Sequence, residues 1–374
     1  MNFTVSSTAL LSHLQSIGRV ISTKNSLQIL DNFLLKVEGN RLSLTASDLE
    51  TTLVTSLEIA NASGDICLAV NAKLLMDALK EFSEQPLQFD IDEENLSVVV
   101  KTENGNYNFV GLRGEEYPQL PALGDDASTL KMPVGVLANG VSKTIFATAD
   151  DDLRPTMTGV LFDIKPESLT FVATDAHKLV RYINTGVQSG FEAAFILPKK
   201  PANVLKAVIG KGEGEVEVSF DSKNIAFRLP TYTMVCRQIE GRFPNYNGVI
   251  PQNNPYKLII DRLLLMNAAK RVFAFSNQGT GLIKLSITAG KLVISAQDID
   301  FSTSAEETLA CQYEGEDIAI GFKAPFLIEI LSNIDSSDVT IALADPSRAG
   351  IIMPFENEKD EDLLMLLMPM LLSE

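Results

Sequence analysis

Tryptophan is absent from this chain, and aromatic residues make up only 7% of it. Any packed core must therefore be mainly aliphatic. Cysteine is scarce too: Cys67, Cys236 and Cys311 lie far apart. An odd, scattered set makes no disulfide framework and has no zinc-site spacing; it reads as three reduced thiols. Only two histidines are present, His13 and His177, which excludes a three-histidine metal site or a histidine-rich catalytic centre. Long apolar runs are missing as well. A spanning helix needs ~20 apolar residues, whereas the conspicuous run Leu363–Leu372 has ten, all Leu, Met or Pro. The start MNFTVSSTALLSH lacks the basic opening and long apolar stretch of a signal peptide. The expectation is a soluble cytoplasmic protein with no membrane partner. Basic residues are also in deficit, 31 against 48 acidic, for a net charge of −17. That balance favours solubility and argues against gripping nucleic acid with the whole surface, while leaving room for a local basic stripe.

What the chain does have is repetition. At 374 residues it is long enough for two or three domains. LSLTASDLETTLVTSL (42–57), LTFVATDAHKLVRYIN (169–184) and KLVISAQDIDFSTSAE (291–306) share one pattern: an alternating strand, an aspartate, another alternating strand. The aspartates are Asp48, Asp175 and Asp298. A second unit recurs in phase from residues 67, 193 and 319, a short apolar strand running into an amphipathic helix, with Leu79, Leu205 and Leu331 each 126 apart. A third, STALLSHLQSIGRVIS, PVGVLANGVSKTIFAT and DRLLLMNAAKRVFAFS, has apolar residues at helical spacing. Each block of ~125 residues reads as helix, strands, helix, strands, which predicts an α+β fold with the helices on one sheet face. The joins fall at 117–129 and 243–255, both rich in Pro, Gly, Asn or Asp. The expected domains are 1–122, 128–248 and 254–374.

Catalytic candidates are poor. Asp150, Asp151 and Asp152 could attract a hard cation, but they lie in a loop and read better as a solvated acidic turn. Asp175 and His177 have no serine or cysteine nucleophile in a recognisable setting. GKGEGE (210–215) lacks the Lys-Ser/Thr ending of a phosphate loop. No catalytic residue, metal or cofactor is expected. The basic residues say more. Lys73 and Lys80 on the second helix of block one, and Lys199 and Lys206 in block two, are seven apart and share a helix face. Arg19, Lys143 and Lys270–Arg271 fall near the ends of the first helices. They can answer the helix dipole, or form a basic lining that touches phosphates without reading bases.

Over its whole length the sequence resembles the bacterial sliding clamps, the beta subunits of DNA polymerase III. The resemblance rests on MNFTV with the helix after it, KNSLQILDNFLLKV (24–37), LSLTASDLE (42–50), ATDAHKLV (173–180), EGRFPNYNGVIP (240–251) and LLMPMLL (366–372), in that order. It implies three clamp domains per chain, two helices on antiparallel sheets in each, and a head-to-tail homodimer closing a ring around duplex DNA. It further implies a processivity factor, not an enzyme. DNA contacts would come from Lys24, Lys73, Lys80, Arg154, Lys199, Lys200, Lys206 and Arg271. The dimer interface would involve Tyr107 and Phe109 on one side and Phe275 on the other. A groove for partner peptides would be lined by Met157, Thr174, His177, Lys178, Leu179, Pro244, Val249, Ser347, Leu366, Met368, Pro369 and Met370, with the last-strand residue Leu366 and the tail Met368–Met370 left partly exposed. Its occupants would be the polymerase alpha subunit, the clamp loader and other replication and repair proteins, at the nucleoid. The sequence departs from the family pattern at Lys24 and Lys178, where arginine is usual, at Gln28 for proline, at Ala176 for glycine, and at Asn247 and Gly248, often basic positions. The stretch 355–364 is more acidic than usual. The competing readings are a peptide-binding scaffold that ignores DNA and a metal-dependent hydrolase at Asp150–Asp152.

Overall fold

The computed structural model describes residues 1–374 other than Asp152, Lys211, Gly212, Ser373 and Glu374. Among the described residues there are six α-helices: α1 (Ser7–Ile17), α2 (Ala72–Lys80), α3 (Val134–Thr144), α4 (Lys199–Ile209), α5 (Arg262–Phe273) and α6 (Ala324–Ser332). They fall two to a block, where the repeats place them. None is long and apolar enough to cross a membrane.

The apolar spacing of each helix becomes its buried stripe. In α1 that stripe is Ser7, Leu10, Leu14 and Ile17; in α5 it is Leu265, Ala268, Ala269 and Val272. Helix starts are fixed by side-chain caps, which satisfy backbone N–H groups left over in the first turn. Ser6, Asn71 and Asp261 accept from the amides of Ala9, Leu74 and Leu264. The helix α1 stops at Ile17, so residues 18–22 of its sequence repeat are not helical.

The chain divides into two compact units, Met1–Ala138 with Lys200–Gln238, and Asn139–Lys199 with Ile239–Glu374. The first holds a nine-stranded antiparallel sheet in the order Ser128–Pro133, Glu215–Phe220, Asn224–Arg228, Tyr232–Arg237, Thr51–Glu58, Arg41–Ser47, Asn32–Glu38, Ile66–Asn71, Leu112–Arg113. Its middle joins two blocks: Tyr232–Arg237 pairs with Thr51–Glu58. A second sheet runs Asn2–Ser6, Pro86–Ile91, Ser97–Lys101, Asn106–Val110, with the last strand at its edge. The core between sheets and helices is mainly aliphatic, with a few buried aromatics such as Phe3, stacked on Phe89 at 4.8 Å.

The second unit repeats the plan. In its nine-stranded sheet Lys178–Asn184 pairs with Glu361–Leu367, the chain's last strand. Its four-stranded sheet ends on the edge strand Thr303–Ala310. The Phe162 ring centroid lies 4.6 Å from that of Phe171 and 4.5 Å from that of Phe195.

Candidate peptide groove and basic residues

The three aspartates of the sequence repeat turn out to do one job. Each accepts backbone hydrogen bonds that close the turn between two strands. Asp48 accepts from the amides of Glu50 and Thr51, Asp175 from His177 and Lys178, and Asp298 from Asp300 and Phe301. Asp175 and His177 are thus a turn and not a catalytic pair.

The second of these turns carries the groove candidates. Thr174 Oγ1 donates to the carbonyl of Lys178 at 2.8 Å, and Ala176 N donates to Thr174 Oγ1. Ala176 sits at φ +74°, in the left-handed region that costs a side chain about 1 kcal/mol or more and favours glycine. This is the physical reason a glycine suits the position. Ala176→Gly is expected to raise stability by up to ~1 kcal/mol, read from a denaturant midpoint, the relief of backbone strain outweighing the added chain entropy.

Lys178 is buried, only 5% exposed. Its Nζ reaches Asp175 Oδ2 at 2.9 Å and Glu329 Oε2 at 3.0 Å, and lies 4.5 Å from the centre of the Phe326 ring. Burial opposes the charge, but hydrogen bonds to Asp175 and Glu329 outweigh it and hold the ammonium above its usual range. His177 is exposed and stacks on the same ring at 5.8 Å, and Lys323 Nζ lies 5.0 Å from it. Phe326 and Glu329 come from α6 and Lys323 from its N-cap. The sequence reading missed all three; the helix looked like an ordinary amphipathic core element.

The tail meets this turn. Leu366 is the register partner of Leu179, and the amide of Met368 donates to the His177 carbonyl at 2.9 Å. Met370 N donates to Gly321 O at 2.8 Å. Both Leu179 and Leu366 belong to a buried cluster with Phe243, Ile250 and Ala349. Leu366 is 3% exposed and Met368 is 44% exposed. The expectation that Leu366 stays partly open is therefore corrected: it points into the core as its sheet partner does, and exposure begins at Met368. Pro369 and Met370 are half-buried. Pro244 is half-buried next to Phe243 in the cluster, Val249 is 59% exposed beside Ile250, and Ser347 is exposed two residues before Ala349. Met157 is half-buried on a separate short 3-10 turn, Pro155–Met157.

The basic candidates divide into two groups. Lys24, Lys73, Arg154 and Lys206 are exposed and, among the described residues, make no ion pair. The others are already matched to carboxylates. Lys80 lies 3.5 Å from Asp77, Lys199 pairs with Asp150, and Lys200 pairs with Asp48 while donating to Val20 O at 2.8 Å. Arg271 holds Glu307 through two hydrogen bonds at 2.7 and 2.6 Å, and this pairing keeps the Glu307 carboxyl below its usual range. Asp151 accepts from the Leu153 amide, and Asp152 lies outside the described residues. Among the described residues no cluster of His, Cys, Asp or Glu could hold a metal ion.

The interface candidates lie near open edges. Tyr107 is 44% exposed and meets Phe82 edge-on at 5.1 Å, and Phe109 is half-buried. Phe275, just past α5, is 45% exposed, and its carbonyl accepts from Thr303 Oγ1.

The thrice-repeated pattern of paired helices on antiparallel sheets is the three-domain fold of a DNA clamp. Family models describe the same three parts. The N-terminal, central and C-terminal domains of the DNA polymerase III beta subunit match residues 1–121, 131–245 and 247–371, and the chain belongs to that family. It is a DNA sliding clamp, a replication processivity factor and not an enzyme. Among curated relatives, the beta sliding clamp of Pseudomonas putida is 28% identical over 366 residues, covering 98% of this chain and 99% of its own. That of Synechococcus elongatus is 28% identical over 365 residues, 94% and 95% of the two chains. A DNA polymerase III beta-subunit sliding clamp of Pseudomonas aeruginosa, solved bound to griselimycin, aligns over 100% of both chains with a TM-score of 0.93 and 27% identity.

Proposed function

We propose that two copies of this chain, each with domains 1–122, 128–248 and 254–374, close head to tail into a ring around duplex DNA. The observation that carries this is the pair of edge strands, Asn106–Val110 and Thr303–Ala310, with one open side each among the described residues. An uncovered edge offers a row of unpaired backbone groups to another chain. Joining unlike ends on a two-fold closes the assembly after two chains. Tyr107, Phe109 and Phe275 sit at those ends.

Encirclement removes the need for a tight grip. Lys24, Lys73, Arg154 and Lys206 touch phosphates through charge alone, and Lys80, Lys199, Lys200 and Arg271 must first exchange a carboxylate for a phosphate. The excess negative charge keeps the duplex off the rest of the surface. The groove built from the 174–179 turn, the 244–249 linker, Ser347 and the 366–370 tail takes short peptides ending in bulky apolar residues, from the polymerase alpha subunit, the clamp loader and other replication and repair proteins. Exposed methionine suits several partners because its thioether chain adapts. The protein acts at the nucleoid in the cytoplasm.

The charges can be tested directly. Lys73→Ala with Lys206→Ala is expected to weaken binding to short linear duplex equally for all sequences. The log–log salt slope should fall by about 1 for each phosphate that is no longer neutralised. An unchanged slope would remove these lysines from the DNA path.

A further inference from the structure

The internal repeat gives each block the same two joining parts: the aspartate turn, and the start of the second helix. Inside the first unit, the turn of block one is met by α4 of block two. Lys200 pairs with Asp48, and beside it Thr51–Glu58 pairs with Tyr232–Arg237. Inside the second unit, the turn of block two is met by α6 of block three. Phe326 takes Lys178 and His177 on its ring, and beside it Lys178–Asn184 pairs with Glu361–Leu367. Lys200 and Phe326 are the same place in the repeat, since 326 − 200 = 126 is the spacing of Leu205 and Leu331. One more step back, 200 − 126 = 74, is Leu74 on α2.

That leaves one turn and one helix start unmatched. The turn is block three's, 298–302. It is capped by Asp298 as the others are, but spans five residues where 48–50 and 175–177 span three. The extra length carries Ile299 and Phe301, 81% and 78% exposed. The helix start is that of block one, where Leu74 is 52% exposed at the mouth of an apolar cleft of about 290 Å³. The cleft lies between α2 and the edge strand Asn106–Val110 and is lined by Leu75, Phe82, Tyr107 and Phe109. The strand that follows the unmatched turn is the other open edge, Thr303–Ala310.

We infer that the joint between two copies of this chain is an apolar plug, in which Ile299 and Phe301 of one copy seat against Leu74 and the cleft behind it in the other. The inference rests on the head-to-tail dimer proposed above and specifies its chemistry. The two joints inside the chain are held by charge, Lys200 with Asp48 and Lys178 with Glu329. The joint between chains replaces charge with hydrocarbon on both faces. Large apolar side chains this exposed, on two surfaces that the repeat makes complementary, are what an interaction site leaves open in the free subunit. The closed dimer contains the plug twice, so each substitution acts twice.

The test is the dimer dissociation constant of the full chain from sedimentation equilibrium, at low and high salt. Phe301→Ser and Leu74→Ser are each expected to raise it on the order of 100-fold, as removing a central apolar anchor does. At concentrations low enough for all of the chains to be monomeric, their unfolding midpoints should match the wild-type value, because both side chains are exposed. Phe355→Ser, at another exposed aromatic, should leave the constant unchanged. The wild-type constant should be flat with salt, since an apolar joint is not screened. A wild-type chain that stays monomeric at every concentration would overturn the dimer itself. A wild-type dimer unaffected by Phe301→Ser and Leu74→Ser, or one that dissociates steeply with salt, leaves the dimer standing and overturns the plug.

Discussion

A chain shortened to end at Leu367 should lose partner peptides and keep its dimer. The deletion removes Met368, Pro369 and Met370 but stops short of the buried strand: Met365 and Leu367 are fully buried, and Leu366 nearly so. What the fold loses is small. Two backbone hydrogen bonds go, from Met368 to His177 and from Met370 to Gly321, each worth ~1 kcal/mol net. What the groove loses is its adaptable apolar wall. Peptide affinity, measured by fluorescence polarisation with a short peptide ending in bulky apolar residues, should fall at least ~30-fold, the scale of removing a hot spot of ~2 kcal/mol. A substitution inside the strand is a different experiment. Leu366→Ala opens a cavity in the cluster around Leu179 and should cost ~2–4 kcal/mol of stability. Normal peptide binding by the shortened chain would show that the tail is packing alone.

The second large effect is expected at a glycine in α3. A Cβ on Gly140 would lie 2.4 Å from the Phe171 ring. That ring cannot retreat, because it is fully buried with Phe162 at 4.6 Å and Tyr182 at 5.9 Å. Gly140→Val should therefore destabilise by ~3 kcal/mol through overpacking. Gly135, in the same helix, has nothing within 4 Å of its missing Cβ. Gly135→Ala should stabilise by up to ~1 kcal/mol, the helix propensity difference alone. Denaturant midpoints of the two variants should thus move in opposite directions. Equal shifts would mean that α3 does not press on the sheet at Gly140.

Much of this was legible in the sequence because its signals are local. The 126-residue spacing of Leu79, Leu205 and Leu331 marks the second helices, and α2, α4 and α6 are where it says. The aspartates at 48, 175 and 298 mark strand-to-strand turns because an aspartate carboxylate can close such a turn from within. Other features need the folded chain. The pairing of Tyr232–Arg237 with Thr51–Glu58 links residues some 180 apart and has no local signature. The carboxylates that neutralise Lys199, Lys200 and Arg271 also lie outside any local pattern, 49, 152 and 36 residues away at Asp150, Asp48 and Glu307. In Leu363–Leu372 every position is apolar or proline, so alternation cannot say which side chains point inward. That is why Leu366 read as exposed and is buried. Phe326 and Glu329 hid for a related reason: the helix that packs the core also meets the 175–178 turn.

Encirclement is the central claim, and topology tests it better than affinity does. The full-length chain is loaded by the proposed partner, a clamp loader, onto nicked circular duplex, freed of the loader, and followed by gel filtration before and after the circle is cut once. The expected result is retention on the circle at salt that abolishes binding to short duplex, and release on linearisation as rings slide off the ends. Equal retention on circle and cut DNA would contradict the ring, because a protein held by contact alone does not sense whether its DNA has an end.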